Sequence, residues 1–497
     1  MRRLEGYTTC GRLRSPLQKL DTENNELILL ILVVIEEAGG CSCKSDGPRL
    51  YLHLPHTYAT VYRDEYLLVV RAYTWFSSVN LLIPTPTSIL HHNNPPPSAP
   101  RSLMTMSATK PQPILEFNYD ISCPFAYIAS TRVQSLAHRT HATLTYKPVL
   151  LGAIYRATAA PQGASGSASD VFNSAKKAVT AQDMQRTLRR YNIRYNPPPQ
   201  HPRKTVNALR LLYCVADQEK RKILTDRLFQ AYWVEGKDVN SNTTLLQVAR
   251  ECGIENIGEE CFSNVDARKE LETATAEAIR RGAFGVPGFW IPSAIWTDMN
   301  GERKEGRFFW GQDRMHFVEA TLVSLLSSSG NSWRDVPALK GLMPRCIPRN
   351  TPHGRVKLEF WFDFSSPWAF LGYTQLERLK TTFREGLEVV MKPFLLGILF
   401  REIGAPNLPG MAVSPAKAMW TRQDHADWTE YWNAASAQDG GKKDGGGDMK
   451  FYWVDIFPIR TPTVLRVAIV EPETTKLLCK LYLPFVSRAS NIYYATR

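Results

Sequence analysis

With 497 residues the chain is long enough for two or three domains, each able to bury its own core. An apolar fraction of 44% is that of ordinary globular protein and excludes a chain that is mostly disordered. The formal charge of +13 comes from scattered Lys and Arg, with no long basic run and no zinc or RNA-binding signature. It therefore points to a solvated basic surface or a pocket for a small anion rather than to nucleic acid.

Residues 1–105 differ from the rest. The apolar run 27–35 is too short to cross a bilayer, has acidic neighbours, and is followed by no small-residue cleavage site. Arg2, Arg3, Arg12 and Arg14 hint at a mitochondrial presequence, which Glu5, Asp21, Glu23 and Glu26 argue against. Cys41 and Cys43 stand too close for the usual zinc knuckle and no Cys/His pair follows, so no metal is assigned. All nine cysteines, an odd number widely spaced, fit a reducing compartment rather than a disulfide scaffold. A Pro-rich tract, 84–100, closes the segment as a linker. The working protein is expected to begin at Met104 or Met106, with a dispensable extension upstream.

Residues 114–119 form a short apolar and aromatic run that reads as a buried strand. A turn over 120–122 follows, and Pro124 suits the first turn of a helix reaching to 138. Cys123 thus stands at a strand-to-helix corner, where the helix dipole and open N–H groups would lower its pKa and leave it partly thiolate. The alternative is a buried structural cysteine. A strand over 142–148 completes a βαβ start. Residues 153–172, rich in Ala, Gly and Ser, read as a loop or mobile lid. A mainly helical section, 173–281, contains helices at 206–219, 224–234, 242–252 and 266–281 and is broken by Pro197, Pro198 and Pro199. Gly285-Val286-Pro287-Gly288 then leads into a strand hairpin over 289–309 and a last helix from Asp313. This order describes a thioredoxin-type sheet, residues 113–330, with a helical insertion over about 173–280.

The opening stretch then returns. Asp363, Ser366 and Pro367 answer Asp120, Cys123 and Pro124, and Lys-Pro-x-Leu-Leu-Gly occurs at both 147–152 and 392–397. Since 243 residues separate Asp120 from Asp363 and 245 separate Gly152 from Gly397, the pattern indicates a tandem domain duplication. The expected fold class is α/β: a thioredoxin-like fold with an inserted helical domain, duplicated in tandem with a truncated second copy. A linker over 331–354 would join the copies. The second, 355–497, is interrupted by the glycine-rich stretch 437–449 and drifts after Leu481, with no second Val-Pro loop or Gly-x-Asp-Arg. It is expected to be inactive, poorly folded or truncated.

Four marks in this order carry a resemblance. They are the Asp-x-x-Cys/Ser-Pro corners, a Lys with an Asp seven residues on (Lys176/Asp183 and Lys417/Asp424), Val286-Pro287, and Gly311-Gln312-Asp313-Arg314. Over 113–327 the chain resembles the DsbA-like thioredoxin superfamily, in the branch of kappa-class glutathione transferases and 2-hydroxychromene-2-carboxylate isomerases. The resemblance implies a cis Pro287 facing the corner, so that the Val286 backbone pairs with glutathione in strand fashion. It implies that Gln312, Asp313 and Arg314 hold the γ-glutamyl end and that Lys176 meets the glycyl carboxylate or the sulfur. Taken singly, Lys176 is a solvated lysine, Pro287 a turn proline and Asp313 a helix cap.

The family serine is kept at Ser366 and replaced at Cys123, and both are candidate catalytic residues. Serine would donate to the glutathione thiolate, whereas cysteine permits a mixed disulfide. The second cysteine of a Cys-x-x-Cys pair is absent, because Ala126 fills its place. Cys214 reads as a resolving thiol or, more simply, as core. Three readings follow. One is a glutathione-dependent transferase or isomerase, with glutathione as co-substrate and a small electrophilic or aromatic partner. Another is a monothiol DsbA-like oxidoreductase acting on disulfides or glutathionylated substrates. The third is a non-enzymatic binding scaffold. The expectation includes no membrane span, an intracellular setting (cytoplasmic or mitochondrial, with the peroxisome as a family habit) and room for a homodimer.

Overall fold

Strand β1 (Ile114–Tyr119) occupies the residues expected of it, and it is the strand on which the others assemble. The computed structural model describes residues 111–163, 166–298, 301–327, 332–343, 355–406, 408, 410, 412–439, 448–454 and 457–470. After β1 come α1 (Pro124–Arg139), β2 (Thr143–Pro148), α2 (Leu151–Ala157) and α3 (Ser174–Arg190). The insertion continues with α4 (Val206–Cys214), α5 (Gln218–Trp233), α6 (Asn242–Glu251) and α7 (Val265–Arg280). Strands β3 (Gly288–Thr297) and β4 (Arg303–Trp310) and helix α8 (Met315–Leu326) close the domain.

The sheet order is β2-β1-β3-β4, with β1 parallel to β2 and antiparallel to β3. Parallel pairing of β1 and β2 needs a crossover, and α1 supplies it. Phe117 pairs with Phe289 across the sheet, their rings stacked at 5.6 Å, so aromatic contact reinforces the register. The insertion is tied to this centre by two buried bonds. Tyr119 Oη and Thr225 Oγ1 lie 2.7 Å apart, and Trp233 Nε1 donates to Ile121 O at 2.8 Å.

Three expectations need correction. The helix over 206–219 is two helices, because the Asp217 carboxylate accepts from Glu219 N and Lys220 N and so caps a new one. Part of the expected lid is ordered as α2 and as a 3₁₀ turn, Ala168–Val171. The described part of the expected linker is packed rather than loose. It holds a 3₁₀ turn, Trp333–Asp335, and a short helix, α9 (Leu339–Leu342), and Trp333, Val336 and Leu339 are buried with the first domain's core.

The carboxy-terminal segment consists of β5 (Val356–Phe362), α10 (Pro367–Thr374), α11 (Leu376–Phe383) and β6 (Leu387–Pro393). It continues with α12 (Leu396–Glu402), α13 (Pro415–Gln438) and α14 (Pro462–Val470). Strands β5 and β6 pair in parallel and share a cluster with α14 that includes Leu358, Phe360, Phe362 and Leu465. Helix α13 instead contributes Tyr431, Ala434 and Ala435 to the first domain's core. Poor folding is therefore not what the described residues of this segment display. The extension 1–105, most of the glycine-rich stretch and the region after Leu481 lie outside the described residues.

Candidate functional site

The corner after β1 is built by one buried carboxylate. Asp120 Oδ1 accepts from Ser122 N and Oγ, both at 3.1 Å, and from Thr205 Oγ1 at 2.7 Å, while Oδ2 accepts from Leu151 N at 3.0 Å. It thus joins the turn to the starts of α2 and α4. Burial raises the Asp120 pKa, and the bonds from Thr205, Leu151 and Ser122 oppose the rise. Asp120→Asn retains the shape but turns an amide N–H₂ towards donors. It should cost about 1–3 kcal/mol of unfolding free energy by urea titration. A loss below about half a kcal/mol would mean that these bonds are dispensable.

Cys123 is the N-cap residue of α1, with Pro124 in the first turn, and is only 6% exposed. Its Sγ–H donates to Val286 O at 3.2 Å, and the Val286–Pro287 peptide is cis as expected. The thiol is not acidified. Burial pushes its pKa up to about 12, overriding the Ala126 and Phe125 N–H groups, and a nearby Asp120 charge adds to the rise. Charge–dipole attraction at a helix end is worth less than the loss of hydration around a buried thiolate.

The loop's far side is held by Gly311, whose N–H donates to Pro287 O at 3.0 Å. Its φ of +100° calls for glycine, and a Cβ there would also push the Asp313 carboxylate aside. Gln312, Asp313 and Arg314 form a 3₁₀ turn ahead of α8. Gln312 is buried, with Arg132 donating to its carbonyl and side-chain oxygen. Arg314 does not stand open as a ligand clamp. Its guanidinium grips Asp424 of α13 through two bonds, 2.7 and 2.8 Å, and also pairs with Asp313. Lys176 lies in the first turn of α3, its N–H capped by Asn173 Oδ1 and its ammonium 4.5 Å from the centre of the Phe172 ring. Further along α3, burial raises the Asp183 pKa, and the charge of Asp313 adds to the rise. The structure therefore joins Cys123 to Val286 and Pro287 to the Gly311 turn, while Lys176 stands on α3 with Phe172.

Two tyrosines went unnoticed in the sequence. Tyr155 on α2 and Tyr195 lie near enough to Cys123 for its charge to raise both phenol pKa values, with burial the larger cause. Burial pushes Tyr195 up to about 12. Comparing the two Leu-Leu-Gly phrases would have flagged Tyr155, since Phe400 holds the corresponding place in the second.

Ser366 occupies a similar corner. Asp363 Oδ1 accepts from Ser365 N at 2.9 Å, Ser365 Oγ at 3.0 Å and Thr461 Oγ1 at 2.7 Å, and Oδ2 from Leu396 N at 2.8 Å. The Ser366 hydroxyl oxygen caps α10 by accepting from Ala369 N at 3.1 Å. Cys123 makes no such cap. Among the described residues no group of His, Cys, Asp or Glu could hold a metal, and no helix is long and apolar enough to cross a membrane.

A four-stranded thioredoxin-type sheet and a cis-proline loop facing the Cys123 corner define the thioredoxin-like class. Within it, residues 114–323 match the DSBA-like thioredoxin domain family, and the chain carries such a domain. Glutathione S-transferase kappa 1 of Caenorhabditis elegans is 23% identical over 216 residues, covering 41% of this chain and 89% of the relative. 2-hydroxychromene-2-carboxylate isomerase of Sphingobium xenophagum is 24% identical over 210 residues, covering 42% and 97%. A solved structure of 2-hydroxychromene-2-carboxylate isomerase aligns at 22% identity with a TM-score of 0.35, over 42% of this chain and 93% of that one.

Proposed function

We propose that this domain is a glutathione-dependent transferase or isomerase of the kappa and 2-hydroxychromene-2-carboxylate isomerase type, with Cys123 acting as a neutral hydrogen-bond donor. The observation that carries the reading is the Cys123 Sγ held 3.2 Å from Val286 O across the cis-proline loop, and burial, which raises the thiol's pKa, supports its staying protonated. Glutathione laid along Val286 would bring its sulfur to this corner. The Cys123 S–H would then turn to the glutathione thiolate and stabilise its charge, while keeping its own proton. That is the part a serine would play, and the thiolate of glutathione is the nucleophile towards a small electrophilic or aromatic co-substrate. The kinship with a kappa transferase and with hydroxychromene carboxylate isomerases supports glutathione as the co-substrate.

The matching hydrogen bonds of Asp120 and Asp363 support a tandem origin for the two corners, and we take the second as a copy whose serine serves as a helix cap.

The test is the ionisation of bound glutathione, followed by ultraviolet thiolate absorbance against pH. Wild type and Cys123→Ser should both lower the glutathione pKa. Cys123→Ala should raise it back and slow turnover about a hundredfold, as loss of one aimed donor does. A second reading has one observation in its favour, a cysteine where a serine would suffice. Under that reading Cys123 is a monothiol oxidoreductase nucleophile, and glutathione disulfide should leave a lasting Cys123 adduct on mass spectrometry. Absence of any glutathione binding, together with a Cys123 thiol that forms no adduct with disulfides, would sink both and leave a scaffold.

A further inference from the structure

We propose that Cys214 and Cys261 form a reversible redox site in the helical insertion. A small disulfide, such as that of glutathione, oxidises the pair and closes a bond between the end of α4 and the 3₁₀ turn before α7. The site is separate from the Cys123 corner, and the inference does not rest on the glutathione reading above.

The two cysteines come together from separate parts of the insertion. Cys214 is the last residue of α4, and Cys261, 47 positions later, lies in the 3₁₀ turn Glu259–Phe262. Cys214 Sγ–H donates to Cys261 O at 3.5 Å, and the two side chains are near enough to hydrogen-bond to each other. Both are free thiols, with Cys261 buried and Cys214 half-buried. One turn before Cys214, Arg210 Nη1 donates to Phe262 O at 3.0 Å, so the helix and the turn are already tied beside the sulfurs. The insertion's other cysteine, Cys252, lies by Arg227 and Glu251 instead.

Of the two thiols, the half-buried Cys214 is the one a small disulfide can reach. Its sulfur attacks that disulfide, releases one thiol and keeps the other half as a mixed disulfide. Cys261 Sγ then attacks Cys214 Sγ and expels the second thiol. The protein pair gives up two electrons and two protons, which the small disulfide takes up in becoming two thiols. Burial raises both cysteine pKa values, that of Cys261 to about 12, so the first step is slow and calls for sustained oxidation. The second step joins groups already in contact, which offsets the high pKa of the attacking thiol. In a reducing compartment such bonds are transient and report redox state. The bond would staple α4 to the turn that leads into α7. Thr205, ahead of α4, donates to Asp120, and Tyr213 on α4 donates to Pro148 O at 2.8 Å, so closure restrains the insertion against the sheet.

The test incubates the folded full chain with glutathione disulfide and maps it by non-reducing digestion with trypsin and glutamyl endopeptidase. That pair of enzymes puts Cys261 on a peptide apart from Cys252. Mass spectrometry should find the Cys214 and Cys261 peptides joined, two hydrogens lighter than their sum, and dithiothreitol should release both. The oxidised chain should melt roughly 5–10 °C above the reduced one, the scale expected for a disulfide that closes a loop of this length. Cys261→Ser should trap glutathione on Cys214, Cys214→Ser should leave Cys261 unmodified, and neither should gain the melting shift. A wild-type chain whose two peptides stay unjoined, or whose Cys214 keeps glutathione as stably as in Cys261→Ser, would overturn the inference. The wild-type map decides the matter even where a variant fails to fold. Adducts at Cys123 fall on a different peptide, so this result and that of the transferase reading are read separately.

Discussion

Asp427→Ala is expected to lower the unfolding free energy by about 3–5 kcal/mol, the range found when one member of a buried ion pair is removed. Asp427 on α13 and Arg307 on β4 are both under 10% exposed and form a direct ion pair. The Arg307 guanidinium is enclosed by aromatic rings, with Phe309 at 4.8 Å, Trp296 at 5.0 Å and Trp333 at 5.4 Å. Those rings attract a cation but cannot replace a carboxylate. Gln423 Nε2 also donates to Asp427 Oδ1 at 2.9 Å, so the truncation strands a second polar group. The double variant Arg307→Met/Asp427→Leu, which removes both charges and keeps volume, should recover most of the loss. Urea titration of the three proteins decides the point. A single variant that loses less than about 1 kcal/mol would show that water reaches Arg307 freely.

The second large effect is a pH-dependent gain. His316 on α8 is buried, its ring 4.3 Å from Phe317 and 5.1 Å from both Trp428 and Tyr431, and its nitrogens make no well-formed hydrogen bond, the Asp313 backbone favouring the charged ring only weakly. Burial pushes its pKa down to about 3, with the Arg314 charge as a smaller cause. The unfolded chain takes up this proton near the ordinary value of about 6.5, and the folded chain does not until about pH 3. The stability carried by the neutral ring is therefore complete above about pH 6.5 and is lost as pH falls below it. His316→Phe should gain on wild type by about 1.4 kcal/mol for each pH unit below that point, reaching several kcal/mol by about pH 4. Burial also raises Asp424 and Asp226 to about 6, which works in the opposite sense for the whole protein. Asp226 cancels in the difference between the two chains, and Asp424 does so provided its own pKa is unmoved. A difference that stays flat from pH 7 to 4 would mean that the imidazole is hydrated. His425 should act in the same direction more weakly, since its Nε2–H donates to Pro367 O at 3.0 Å and burial lowers it only to about 4.

Local chemistry could be read along the chain, and distant packing could not. The apolar run 114–119, the Pro at the start of α1 and the flanking glycines of Val286-Pro287 each announce a conformation through their immediate neighbours. The error on Cys123 came from applying a local rule, helix-end polarity, where the decisive quantity was hydration. Hydration depends on what the fold packs over the corner, of which Val286, 163 residues along the chain, is one part. Arg314 misled for the same reason. Its motif says that a cation stands there, but the carboxylate that holds it is 110 residues away. The break between α4 and α5 was visible in principle, because Asp217 followed by Gln-Glu-Lys is a cap signature inside an apolar pattern.

The shared core of α8, the Trp333 turn and α13 bears on where this protein can be divided. The family match ends at residue 323, inside α8, and the sequence repeat suggests a seam within 331–354. Neither is a seam in cooperative terms. Trp333 stacks on Phe317 at 5.0 Å, and Tyr431 Oη donates to Leu339 O at 2.7 Å, so a fragment stopped at either point bares an aromatic surface meant for its own later residues. Such a fragment would invite aggregation, and its behaviour would report on the missing helix rather than on the domain. One core runs from β1 to α13, while the β5–β6 pair forms a smaller cluster of its own with α14.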